Sequence, residues 1–482
     1  MANFQATWAP DNRTLRTWGR PDEAVTPPVT TPIFDTVVRA SGQATFVTGP
    51  PASTFTHPGV VLGAQQLDFV KAKLAAGAEP WTSEFNKMMI DAVGTSGANW
   101  PLSANTGRLY SSLSWVPTPW ATVSVGASGQ ASNGDQDEMA DLQAAYCHTL
   151  IWYYKGTRAN AQMAIRILNA WATTIQTHLF STDPTLSNGR LQTGWAGNLF
   201  SRSAEILRYS FTPTGSEVAL NVAAISAAFD RAYIPLVRYG WTGGGCNWHT
   251  SMTAAHLGMS IFNENKPEFD RALVNHRNWV KSYAYMAGDI NQWPQLRGYP
   301  MSLHLLPDSG VCIYDKSTTT TTQMNSYWYN PTSYSSGMWN ESGRDPIHVA
   351  MGISGLSTIC ETARLQGIDL YGEESLRIRT TLERNAGWLI DVYVNQPNVR
   401  PPTTYSPWPY AYNGWGGPNH AARNSYVTHW NHFVNRLGFN MPLLNQLISD
   451  YVMPAVINNT SNTHVRNDHD YPWDPLVMYG TP

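Results

Sequence analysis

Residues 137–154 read DEMADLQAAYCHTLIWYY, Lys155-Gly156 breaks the pattern, and residues 159–177 resume it as ANAQMAIRILNAWATTIQT. In both segments apolar side chains recur three and four positions apart, the spacing of an amphipathic helix. The intervening glycine can take the left-handed conformation that closes a helix. Two helices joined so briefly must lie antiparallel against each other.

The same pattern extends outward. It predicts helices over 67–76, 83–92, 198–209, 216–233, 250–262, 267–286, 346–365, 373–392 and 441–452, with Gln366-Gly367 as a second stop. Sustained period-2 alternation is scarce, so no β-sandwich is expected. A helical-repeat solenoid would show a fixed sequence period, and none is visible. The expectation is an all-α fold, an incomplete (α/α)n toroid of paired helices, over residues 61–482. Residues 1–60 cluster Pro, Thr and Gly with little periodicity and read as an extended N-terminal arm. Two stretches, 288–344 and 396–424, lack helical pattern and are rich in Trp, Tyr, Asn, Gly and Pro. Loops of that length in a compact domain are usually functional or disordered. Their aromatic content favours the walls of a substrate cleft.

Charged residues make up only 13% of the chain and hydrophobic ones 42%, which excludes a disordered chain. No apolar run is long enough to span a bilayer. The formal net charge of −3 announces neither nucleic acid nor membrane as a partner, so a polyanion would need a local basic cleft. The chain holds 20 Trp and 23 Tyr. Their flat amphipathic rings suit sugar faces, although any single ring is more often core packing. Cys147, Cys246, Cys312 and Cys360 show no C-x-x-C spacing, and no metal site or cofactor is expected. Residues 2–30 carry no apolar signal core. A secreted or periplasmic monomer, whose Met1-Ala2 start replaces a removed signal, is the expectation.

Two constellations carry chemistry. Gly243-Gly244-Gly245-Cys246-Asn247-Trp248-His249-Thr250 leads into a helix, with Asn247 or Thr250 as its cap. Asn340-Glu341-Ser342-Gly343-Arg344-Asp345-Pro346-Ile347-His348 opens another, with Asp345 as N-cap, Pro346 at the first helical position and His348 in the first turn. A helix start attracts anions, and Arg344 can grip a carboxylate in bidentate fashion. Between them lie Arg297, Tyr299, Tyr314, Tyr327, Tyr329 and Tyr334.

Those blocks, with Leu191-Gln192-Thr193-Gly194-Trp195, Ala204-Glu205-Ile206-Leu207-Arg208 and Gln366-Gly367-Ile368-Asp369-Leu370-Tyr371, resemble the alginate lyase superfamily, including polysaccharide lyase families 5 and 38. The resemblance covers roughly residues 80–450. It implies metal-independent β-elimination on an anionic polysaccharide, alginate (polymannuronate) or glucuronan. In family 5 an Asn-His pair and an Arg meet the uronate carboxylate or its C5 proton, and a Tyr handles the leaving oxygen. Asn247 and His249 match the pair with Trp248 between them, and Arg344 matches the arginine. The tyrosine that follows that arginine in family 5 is absent, and His348 falls there. Tyr299 is the chosen acid, with Tyr327 and Tyr329 as rivals. One tyrosine serves both proton steps, or His249 or His348 is the base. Trp248, Arg297, Glu341, Gln192, Tyr327 and Tyr329 complete the expected substrate-binding set. Two alternatives stand beside this reading: a glycoside hydrolase drawing on Asp137, Glu138, Asp141 and Glu341, and a noncatalytic carbohydrate-binding protein.

Overall fold

The computed structural model describes residues 55–95, 102–125, 132–179, 188–238, 240, 246–289, 325, 328, 331, 333–343, 346–394, 426–458 and 473–482. The segment 1–54, which holds most of the expected arm, lies outside the described residues.

The elements in chain order are α1 (Ala64–Ala75), α2 (Trp81–Ile90), β1 (Thr122–Ser124), α3 (Asp135–Lys155), α4 (Arg158–Thr174), β2 (Thr177–Leu179), α5 (Gly189–Ser210) and α6 (Val222–Ala228). A π-helical turn, Phe229–Tyr233, runs into α7 (Ile234–Val237). After it come α8 (Cys246–Phe262), α9 (Lys266–Tyr283), a 3-10 turn (Asn340–Gly343), α10 (Pro346–Leu365), α11 (Leu370–Glu373) and α12 (Ser375–Val394). The chain ends with α13 (Val427–Trp430), α14 (Pro442–Gln446), α15 (Met453–Ile457) and α16 (Asp474–Met478). The two short strands pair in parallel, Val123 opposite His178.

The fold is an all-α toroid of paired helices. The inner helices are α3, α5, α8 and α10, each packed on the next. Glu138 meets Gln192 and Trp152 meets Ser210, so α3 and α5 run parallel. Gly194 lies on Ser251 and Met252, Gly197 on Ala255 and Met259, and Ser201 on Gly258, so α5 and α8 run parallel and very close. A Cβ on Gly258 would come 2.5 Å from Ser201 Oγ, which is why small residues fill this seam. Gly355 on Thr250 and Met351 on Asn247 extend the parallel series to α10. The N-termini of all these inner helices therefore share one end, the mouth of the ring. The outer helices return antiparallel: α4 on α3 through Trp171–Asp141 and Asn160–His148, and α9 on α8 through Glu268–His256. The arc of long helices is bridged by short ones, since α13 packs on α10 and on α16, α16 on α1, and α1 on α3.

The expected stops hold. Gly156 has φ +70° and Gly367 φ +77°, and their amides return to Trp152 O and Arg364 O. Two starts differ most from the sequence expectation. Helix α5 begins at Gly189 rather than 198, because Gln192, Thr193 and Gly194 are buried between α3 and α8 and need no apolar period to be helical. Conversely the helix expected from 216 starts only at Val222. Arg158, Gln162 and Asn169 of α4 bond Glu217, Val218 and Asn221 and hold that segment extended.

Residues 55–60, the end of the expected arm, pack with 61 and 62 on the helices of the body. Thr56 and Gly59 bond Gln366, Val61 N donates to Thr362, and Val60, Val61 and Leu62 are buried. Residues 205, 264, 362 and 366 lie at the C-terminal ends of the inner helices, so this strap crosses the base, opposite the mouth. His57 anchors it between the carboxylates of Glu205 and Glu264. Burial alone would lower the imidazole pKa, but the two carboxylates outweigh it and raise it above 6.5. Stabilisation from a raised folded pKa is full below the unfolded value and is lost as pH climbs through the folded one. His57→Ala is expected to cost about 3 kcal/mol at pH 6, the scale of a broken buried pair, and clearly less at pH 9. Urea unfolding at both pH values checks this.

Candidate active site

The mouth gathers the positive ends of α3, α5, α8 and α10, which favours a negatively charged ligand there. One cation in the first turns is Arg190 of α5, buried at the mouth. Burial lowers its pKa to about 10, which still leaves it charged at neutral pH. It sits two residues before Gln192, and no local signal in the sequence singles it out.

Asn340 and Glu341 of the 3-10 turn cap α8 from ninety-odd residues away in sequence. Cys246 N donates to Asn340 Oδ1 at 3.2 Å, and Asn247 N donates to Glu341 Oε2 at 3.0 Å. The helix therefore starts at Cys246, and neither Asn247 nor Thr250 is its cap. Thr250 Oγ1 instead donates back to Cys246 O at 3.1 Å. Glu341 is fully buried, and its Oε2 also accepts from Cys246 Sγ at 3.3 Å. That corrects its expected place as a substrate contact: the carboxylate is turned onto the helix start, and beside a uronate it would repel. Glu341→Ala is expected to cost about 1–2 kcal/mol, the value of a charged cap. A thermal melt unchanged from the parent would refute the cap.

Asn247 is 1% exposed. Among the described residues its Oδ1 has no hydrogen-bond partner, and its Nδ2 reaches only Met351 Sδ at 3.8 Å. Buried amides are nearly always paired, so an unspent one at a helix mouth marks a position built for something else. His348 lies one turn before Met351 on α10, hence on the same face and roughly 5–6 Å from it between Cβ atoms. It is half-buried. Asn247 thus faces Met351, one turn inside α10 from His348.

His249 is not part of that pairing. Two residues along an α-helix is a rotation of about 200°, so His249 points away from Asn247, towards α9. Its ring packs 5.4 Å from Trp279 and 6.0 Å from Tyr283 between centroids, with Nε2 3.4 Å from Thr253 Oγ1. Gly240 lies against it so closely that a Cβ there would fall 2.3 Å from Nδ1. The inserted Trp248, itself half-buried, separates the two residues that the sequence pattern joins. Gln192 is also corrected. It is buried on α5 against α3, with Nε2 donating to Glu138 Oε2 at 2.7 Å.

The carboxylates considered for hydrolysis are all engaged. Asp137 accepts from Ser103, Ala104 N and Trp120. Glu138 accepts from His178, Gln192 and Tyr233. Asp141 accepts from the indoles of Trp115 and Trp171, both at 2.7 Å, and from Thr118 N, with burial raising its pKa to about 6. Arg297, Tyr299, Tyr314, Tyr327, Tyr329, Arg344, Asp345 and Cys312 lie outside the described residues, whereas Tyr334 is partly buried and donates to Asn325 Oδ1. Cys147, Cys246 and Cys360 are buried free thiols. No helix among the described residues is long and apolar enough to cross a membrane.

No protein-family model matches the chain, and neither does any curated protein sequence. Among solved structures it is similar to alginate lyase A1-III from Sphingomonas species A1, at 12% identity and a TM-score of 0.45, over 82% of this chain and 93% of that one. It is also similar to an alginate lyase from Bacteroides ovatus, at 12% identity and a TM-score of 0.40, over 86% of this chain and 99% of that one.

Proposed function

We propose that the chain is a polysaccharide lyase that cleaves a β-1,4-linked uronan, alginate (polymannuronate) or glucuronan, by metal-independent β-elimination. The observation that carries this reading is the buried amide of Asn247, unspent among the described residues, which faces Met351 of α10 at a mouth where helix N-termini gather.

The chemistry asks for those groups. Removing the C5 proton of a uronate pushes an electron pair towards the neighbouring carboxylate, which already carries a charge. Donors aimed at that carboxylate stabilise the intermediate. Asn247 supplies its Nδ2 donor, held among the described residues only by the weak Met351 Sδ contact, Arg344 a guanidinium just ahead of α10, and the helix starts a fixed positive field. The pair then forms the C4–C5 double bond as the C4–O4 bond breaks. Tyr299 takes the C5 proton and returns one to O4, which lies on the same sugar face in manno and gluco units. His348 orients the carboxylate. Arg297, Tyr327, Tyr329 and Trp248 line the flanking subsites. The protein acts as a secreted or periplasmic monomer.

The test is a panel of purified polysaccharides followed by ultraviolet absorbance. Elimination leaves a double bond conjugated to a carboxylate, whereas hydrolysis leaves none. Rising absorbance with polymannuronate or glucuronan is the expected result. New reducing ends without absorbance, or activity confined to neutral glucans, would overturn the reading.

A further inference from the structure

Trp120 stands apart from the other indoles that fasten the segment between α2 and α3. Its Nε1 donates to Asp137 Oδ2 at 3.0 Å, so one edge of the ring is tied down. A Cβ placed on Gly134 would lie 2.6 Å from Trp120 Cγ, 2.9 Å from Cδ2 and 3.0 Å from Cδ1. Near-equal distances to bonded ring atoms put that point above the ring face, not at its edge. Gly134, at φ +76°, therefore floors one face of the indole with bare backbone, where any side chain would collide. Yet Trp120 is 40% exposed, so a large part of the indole beyond the Gly134 contact stays open to solvent. Trp115 makes the same kind of indole–carboxylate bond, to Asp141, and is buried. Anchoring this segment thus does not itself require an open ring.

The mount is rigid as well as open. Asp137 also accepts from Ser103 Oγ at 2.9 Å and Ala104 N at 2.7 Å, and Thr118 N is held by Asp141 at 2.7 Å. A preorganised aromatic face loses little conformational freedom when a ligand stacks on it. Its position fits a polymer. Asp137 is in the first turn of α3, its neighbour Glu138 bonds Gln192 in the first turn of α5, and Asn247 is in the first turn of α8. Trp120 and Asn247 thus share the mouth, about two interhelical spacings or roughly 20 Å apart.

Resting on the lyase reading above, we propose that Trp120 is a distal sugar-binding subsite. The exposed part of its ring stacks on the C–H face of a pyranose of the same uronan chain, several units from the one that reacts at Asn247. Trp120→Ala is expected to raise KM for long polymannuronate or glucuronan about tenfold, with kcat within about twofold. Kinetics on a tetrasaccharide, too short to reach the subsite, stay unchanged. Trp120→Phe keeps a ring and recovers most of the loss, which a role confined to the Asp137 hydrogen bond would not allow. An unchanged polymer KM, or equal losses on polymer and tetrasaccharide, would overturn the subsite. Affinity electrophoresis in gels cast with each polymer separates this from the lyase reading. Parent protein retarded more than Trp120→Ala, without turnover, supports the subsite and overturns the lyase. Turnover with equal retardation does the reverse.

Discussion

Asn247→Ala is expected to lower kcat/KM on the preferred uronan by roughly two to three decades, the loss of one preorganised oxyanion-type donor. The fold should not suffer. In most buried positions deleting an amide costs stability because its partners are left unpaired. Here, among the described residues, Oδ1 has no partner and Nδ2 touches only a thioether, so alanine strands a weak sulfur contact and nothing else described. The thermal midpoint is expected to stay level or rise. A residue kept for packing would behave the other way, with a falling midpoint and activity that follows it. Turnover of the folded variant together with its melting curve decides between the two. Normal turnover would remove the observation on which the proposed function stands.

Tyr299→Phe should be the more severe substitution, at about three decades or more in kcat, since acid–base groups contribute ~10²–10⁴-fold and no second group is proposed for O4. Only a hydroxyl is lost, so polymer binding should survive. Arg344→Ala is the useful contrast. It removes charge stabilisation instead of proton transfer, and is expected to cost roughly two to three decades in kcat/KM. His348→Ala separates the remaining alternatives: an intermediate loss fits an orienting imidazole, and a loss as deep as that of Tyr299→Phe makes His348 the base. Near-parent activity in Tyr299→Phe would move the acid to Tyr327 or Tyr329. These assays read single-turnover absorbance on purified protein of parent-like circular dichroism.

Helix α10 shows how directly some of this was written in the sequence. Its start at Pro346 and its stop before Gly367 follow from the missing proline N–H and the permissive glycine backbone, both local properties. The α3–α4 hairpin is legible for the same reason: apolar periodicity and a C-terminal glycine act within one turn of where they are written. The succession of such pairs was enough for an all-α toroid. The Asn247 block and the α10 start were likewise visible as residue types gathered at helix mouths.

What the sequence could not set is anything decided by a partner distant along the chain. The cap of α8 comes from Asn340 and Glu341, so Glu341 changes from an apparent ligand contact into a helix anchor. The early start of α5 depends on burial between two neighbours, and the late start of α6 on tethers from α4. His249 reads as the companion of Asn247 along the chain, yet the helical rotation turns it into the aromatic layer beside Trp279 and Tyr283. Periodicity, caps and stops are short-range and are therefore determined by the sequence itself. Which polar groups are consumed in the core, and which are left unspent at the mouth, depends on which helices meet, and only the tertiary structure decides that.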